Sequence, residues 1–393
     1  MANKLVAITL LSSIVLLSCI SVTISSSLAF YNVVSFGAKP DGRTDSTQPF
    51  HLAWMAACSS ARPATVYVPR GTFLIRSVTF NGPCRNRIAF EIDGTLVAPW
   101  DYHVIGNTGN WIYFKQVSWV SVHGGTIDAR GAGFWACRKT SGPCPAGARS
   151  ITFLASNNVK ISGLRSINSQ VIHVAIAQCD NVNIQNLNVR ASTSSLNTDG
   201  IHVESSTGVT ITRSVFRTGD DCISIGPATT NVWIQRIACG PGHGISIGSL
   251  GNGLIEGGVQ NVTVTGVVFT GTQNGVRIKT WARPSNGFAR NIEFRYVIMR
   301  NVGNPIIIDQ EYCPNNQCPT MSSGVKVNQV TYRNIKGTSS TPVAVTFNCS
   351  PSNPCRGIRL RDVQLTFENR SATAFCANAG GTSRGTVIPK SCL

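Results

Sequence analysis

A short apolar run recurs along this chain: SWVSV, NNVKI, NNVNI, TGVTI, TNVWI, QNVTV and RNIEF begin their apolar alternation at Val120, Val159, Val182, Val209, Val232, Val262 and Ile292. From Val159 onward the intervals are 23, 27, 23, 30 and 30 residues. Each unit adds a second run, read as GIHV from Gly200, CISI from Cys222, GISI from Gly244, GVRI from Gly275 and PIII from Pro305. Runs this short cannot bury a face alone, so neighbouring units must stack and share one continuous core. The spacing predicts an all-β solenoid, a right-handed parallel β-helix. A β-sandwich is the alternative, but it needs hairpin turns that this stretch lacks.

Strand alternation points Ile201, Val203, Ile223, Ile225, Ile245, Ile247, Val276 and Ile278 inward and leaves His202, Ser224, Ser246 and Arg277 outward. Upstream, STQPFHLAWMAAC (46–58) spaces Phe50, Ala53, Trp54 and Ala57 as a helix does, with Ser46 or Thr47 as its cap. Such a helix would close one end of the solenoid. Residues 30–393 are expected to form a single domain of this kind.

Lys and Arg number 34 against 17 Asp and Glu, a formal charge of +17, which implies an anionic partner: nucleic acid, an acidic membrane or an acidic polysaccharide. Compartment narrows the choice. Residues 1–29 carry Lys4, a long apolar run and small residues around Ser27 and Ala29, the layout of a secretory signal peptide, with a signal anchor as the alternative. If Cys19 leaves with the leader, sequence neighbours suggest the pairs Cys58–Cys84, Cys137–Cys144, Cys222–Cys239, Cys313–Cys318, Cys349–Cys355 and Cys376–Cys392, with Cys179 left over and buried. Asn261, Asn348 and Asn369 open N-x-S/T triplets. An oxidising, extracellular setting excludes nucleic acid, and after leader cleavage nothing remains to hold a membrane. The Gly-rich GSLGNG at 248–253 lacks the Lys-Ser/Thr of a phosphate loop and reads as a tight turn.

Acidic residues are scarce, yet NTDG and GDDC bring Asp199, Asp220 and Asp221 together just ahead of two strand runs. Asp199, Asp221 and His243 are 22 and 22 residues apart, so stacking sets them in one row, ~4.8 Å per coil. Two such carboxylates could clasp a water, and Asp220 beside them would feel their charge and have its pKa raised, as suits a general acid. One protonated carboxyl for the leaving oxygen and ionised carboxylates for water are what glycosidic hydrolysis requires. Arg277 and Lys279, on one face of the same strand, could hold acidic groups of a substrate. Strict alternation would bury Asp199 and Asp221, so the strand phase must break before Ile201 and Ile223. His243, between two glycines, has no second and third metal ligand evident in the sequence.

At Asn197-Thr198-Asp199, Gly219-Asp220-Asp221, Gly242-His243-Gly244 and Arg277-Ile278-Lys279 the chain resembles the polygalacturonase family of glycoside hydrolases. The likeness runs from VVSFGAKPDGRTDST (33–47), similar to plant members, through IIIDQEYCP (306–314). That resemblance implies hydrolysis of α-1,4 galacturonosyl linkages of homogalacturonan with inversion, without metal or cofactor, by a secreted monomer in the plant cell wall. It casts Asp220 as general acid, Asp199 and Asp221 as holders of the attacking water and His243 as a tuner or relay near the acid. Arg277, Lys279 and Tyr312 would bind galacturonate, and Asn197 joins them at the substrate while shaping the bend before Asp199. Endo attack is preferred over exo, depending on whether the loop 136–149 closes the cleft. A pectate lyase, a rhamnogalacturonan hydrolase or a non-catalytic pectin-binding wall protein are the rival readings.

Overall fold

The computed structural model describes residues 28–140, 142–314, 318 and 321–393. Most of the expected leader, residues 1–27, lies outside them, and Ala29, its last residue, opens the first strand, Ala29–Asn32. Two long sheets, of 18 and 11 strands, run the length of a right-handed parallel β-helix. Among the described residues every strand pairing between coils is parallel; one antiparallel pair, Thr366–Phe367 with Arg370–Ser371, makes a small hairpin near the C-terminus. The hairpin-built sandwich is thereby excluded.

Both families of repeats stack as their spacing requires. In the larger sheet Val159, Val182, Val209, Val232, Val262 and Ile292 are successive register partners. In the smaller one Ile201, Ile223, Ile245, Val276 and Ile306 follow each other the same way. Their side chains are fully buried, so burial on one side of each sheet builds a core that continues from coil to coil. At one corner the chain turns through the left-handed region at Asn158, Asn181, Asn231, Asn261 and Asn291, a conformation Asn tolerates better than most residues. The amide of Asn181 donates to Asn158, that of Asn261 to Asn231 and that of Asn291 to Asn261. Of the three glycosylation triplets, Asn261 thus sits inside this ladder and Asn348 donates to Glu311, whereas Asn369 lies exposed at the hairpin turn.

The helix forms at Thr47–Ser59 and buries Phe50, Ala53, Trp54 and Ala57. Trp54 packs on Phe80 and Phe114, and its indole N–H donates to the Asn81 carbonyl, seating the helix on the first coils. Its cap differs from expectation: Asp45 accepts from the Thr47 amide and hydroxyl, while the Ser46 hydroxyl turns to the Lys39 carbonyl and makes no cap bond. All six disulfides join the cysteines paired above, and Cys179 is free and buried. In GSLGNG, the amides of Gly251, Asn252 and Gly253 converge on the Glu256 carboxylate, so the turn supplies its own anion. Among the described residues no helix is long and apolar enough to cross a membrane.

Candidate active site

Five consecutive strands of the smaller sheet, Ile201–Glu204, Ile223–Ile225, Ile245–Leu250, Asn274–Trp281 and Asn304–Tyr312, floor a cleft of about 880 Å3. Asn197, Asp199, Asp220, His243, Arg277, Lys279 and Tyr312 all line it. Asp221 does not, because it lies beneath, 0% exposed. The predicted break in strand phase is present: the strands begin at Ile201 and Ile223, after each aspartate, and Gly200 N–H donates to the Asp221 carbonyl across the coils.

Asp220 is held at the cleft by four donors. Its Oδ1 accepts from the Asp221 amide at 2.7 Å and from His243 Nδ1 at 3.0 Å; its Oδ2 accepts from the Asn197 amide at 2.9 Å and, more distantly, from its Nδ2 at 3.4 Å. Asn197 presents that amide because it takes a left-handed conformation, φ 62°. The two glycines around His243 are steric necessities: a Cβ at Gly242 would lie 2.7 Å from the Asp220 carbonyl, and one at Gly244 would lie 2.2 Å from the Asn274 carbonyl.

Asp221 meets two cations. Arg277 Nη2 reaches its Oδ1 and Lys279 Nζ its Oδ2, each at 2.9 Å. Ser246 Oγ donates to Oδ1 as well and accepts from Arg277 Nε. Arg277 and Lys279 are only 8% and 7% exposed, so the pair expected to face substrate carboxylates spends part of its donor capacity on the protein's own. Lys279 lies 5.1 Å from the centre of the Tyr312 ring, which places Tyr312 in the cleft wall.

These surroundings separate the titrations. Burial alone would raise Asp221, but the Lys279 and Arg277 cations hold it down at about 2. Burial, then the charges of Asp220 and Asp221, push Asp199 up to about 7. Burial would lower His243, yet its bond to Asp220 and the charges of Asp220 and Asp221 outweigh that and leave it raised. Burial first and neighbouring charge second thus make Asp199 a carboxyl that titrates far above the usual range.

A dependence of stability on pH follows from linkage. Asp221 titrates below its ordinary 3.8, so its contribution is present above that value and lost as the pH falls through about 2. Asp199 titrates above 3.8, so its contribution is complete below that value and lost as the pH rises through about 7. The melting temperature is expected to peak near pH 4 and to fall as the pH rises to about 7, and Asp199→Asn to melt above the wild type at about pH 8. A wild-type melting temperature still climbing from about pH 6 to 8 would contradict the burial argument.

Asp220, Asp221 and His243 each bring a potential ligand atom within 4.8 Å of the others, a cluster the sequence did not disclose. Its donor set fits a metal poorly, since both Asp221 oxygens already face Arg277 and Lys279. Sequence reasoning also left Ser224, Ser246 and His202 without a role, although they share one register row with Arg277. Ser224 and Ser246 point away from the core as expected but are buried by that row, 2% and 0% exposed.

Acidic groups, an imidazole and two cations lining a long cleft on a parallel β-helix are the features of a glycoside hydrolase. The chain belongs to Glycosyl hydrolases family 28, whose pattern matches residues 58–386. It is 56% identical over 384 residues to a polygalacturonase of Prunus persica, covering 97% of this chain and 98% of that one. It is 40% identical over 374 residues to an exopolygalacturonase of Platanus acerifolia, covering 93% and 98%. Its fold matches that of the endo-xylogalacturonan hydrolase of Aspergillus tubingensis with a TM-score of 0.77 at 23% identity, covering 91% of this chain and 100% of that one.

Proposed function

We propose that the protein is a secreted, cell-wall polygalacturonase that hydrolyses α-1,4 galacturonosyl linkages of de-esterified homogalacturonan with inversion, attacking within the polymer. The relatives' names support the linkage, and the charge of +17 suits a polyanionic substrate. The observation that carries the reading is the divided cluster of carboxylates: Asp220 paired with His243 at the cleft, Asp199 raised beside it, and Asp221 locked as an anion underneath.

In this reading Asp220 delivers a proton to the departing glycosidic oxygen, and the raised His243 shares and replaces it across their 3.0 Å contact. Asp199, open to the cleft, takes a proton from the attacking water. Asp221 contributes fixed negative charge opposite the oxocarbenium-like transition state and holds Arg277 and Lys279 in place, whose remaining N–H donors grip a substrate carboxylate. Tyr312 offers a wall for the sugar at the same point. The cleft lining runs from Arg149 to Pro314 across six strand steps, roughly 29 Å, which is room for several sugar units and favours internal attack. Ala146 and Gly147 of the loop 136–149 line one end of it.

Mass analysis of early products from polygalacturonate with the mature protein and EDTA tests the proposal. Saturated oligomers of mixed length, released first as β anomers, are the expected result. Monomer alone would replace endo by exo attack, unsaturated products would indicate a lyase, and binding without products would leave a wall-binding protein.

A further inference from the structure

The row that ends at Arg277 begins at His202, and its first half forms a chain of its own. His202 and Ser224 are direct register partners on adjacent strands. Ser224 Oγ donates to Asp199 Oδ2 at 2.6 Å, and His202 Nδ1 lies 2.7 Å from the same Oγ. A hydroxyl has one proton to give. With Asp199 ionised and receiving it, His202 must carry a proton on Nδ1 and donate to Ser224. The opposite ring nitrogen, Nε2, sits 3.5 Å from Glu204 Oε2, a contact that holds the ring when Nε2 carries a proton as well. That contact is itself felt by Glu204, whose bond to the His202 ring outweighs burial and holds the carboxyl below its usual range. Space for the ring is provided by Gly226, where a Cβ would come within 3.3 Å of His202 Cε1 and 3.1 Å of Glu204 Cβ.

We propose that His202 is a positioning residue that acts through Ser224 on Asp199, fixing which oxygen of that carboxylate faces the attacking water. This rests on the reading of Asp199 as the water-activating group. Among the described residues Ser224 is the side chain that hydrogen-bonds the Asp199 carboxylate. Without it, a carboxylate facing the negative charges of Asp220 and Asp221 would turn away from them and from the water. Ser224 alone cannot enforce the geometry, because a hydroxyl rotates freely unless something fills its acceptor side. His202 fills it, and Glu204 orients His202, so the order Glu204, His202, Ser224, Asp199 leads from the end of the strand Ile201–Glu204 to the carboxylate at the reacting water.

Five variants test this on polygalacturonate. Ser224→Ala and His202→Ala are each expected to lower kcat about tenfold, the scale of a hydrogen bond to a charged group, with KM within about twofold of wild type. In Ser224→Ala the acid limb of the kcat profile moves to higher pH, because Asp199, faced by Asp220, Asp221 and His202, has lost the donor that favours its charged form. His202→Asn restores most of the rate, since its amide nitrogen lies where the imidazole Nδ1 lay. The double variant His202→Ala/Ser224→Ala turns over no more slowly than Ser224→Ala. The proposal is overturned if His202→Ala keeps wild-type kcat, if it changes KM alone, as a substrate contact would, or if His202→Asn is as slow as His202→Ala. Asp199→Asn separates the two layers: inactive Asp199→Asn beside unimpaired His202→Ala defeats only the positioning role, whereas active Asp199→Asn defeats the reading of Asp199 as well.

Discussion

Asp220→Asn lowers kcat by about 10²–10⁴-fold while the chain stays folded, if Asp220 supplies the proton for the leaving oxygen. The substitution is nearly isosteric. Its amide oxygen can take the place of Oδ1, which accepts from the Asp221 amide and His243, and its NH2 then faces the Asn197 amide. That leaves one pair of donors opposed at the cleft, where Asn197 is exposed and can give way. The fold and KM should therefore survive while the transferable proton is lost. A thermal melt next to steady-state kinetics checks both halves, and turnover within tenfold of wild type would remove Asp220 from the acid role.

The second large effect is on stability. Asp221 is wholly buried, and its charge is tolerated because Lys279, Arg277 and Ser246 surround it. Lys279→Met removes one cation and keeps the packing of the stem, so the cost is that of an undercompensated buried anion, about 3–5 kcal/mol. Asp221→Asn/Lys279→Met, which removes the charge too, should recover a good part of that loss even though it restores no activity. Urea midpoints of the wild type, the single and the double variant give the comparison. Equal midpoints for single and double would mean that Lys279 stabilises the cleft by packing alone.

Much of this was legible in the sequence because a solenoid converts spacing into position. Val159 to Ile292 and Ile201 to Ile306 are found in the ladders that their intervals implied, and the six disulfides each join cysteines that are neighbours in sequence, 5 to 26 residues apart. Less legible was what the outward side chains do to each other. Arg277 and Lys279 reach back two coils to Asp221, past Ser246, and that contact depends on side-chain length and on covering groups that no period records. For the same reason the spacing does not show that Asp199 and Asp221 have different surroundings. Equal spacing gives them equivalent places in the coil, yet only Asp221 has cations within reach, so one is a fixed anion and the other a titrating group. The signal that would have found Ser224 and His202 was present: both stand three residues after an aspartate, as Ser246 stands three after His243.

The parallel stacking also bears on how such a site can change over generations. Each outward residue of the cleft has an address given by its coil and its place within the coil, while the inward isoleucines and valines of the same strand answer only to the core. His202, Ser224, Ser246 and Arg277 occupy one such address on four successive coils and offer an imidazole, two hydroxyls and a guanidinium there. Replacing one of them changes its partners in the row and in the cleft, such as Asp199, Asp221 or Arg277, while the core side of the same strand keeps its packing. A lineage built this way can explore new sugars, or new branching along the same sugar, one coil at a time.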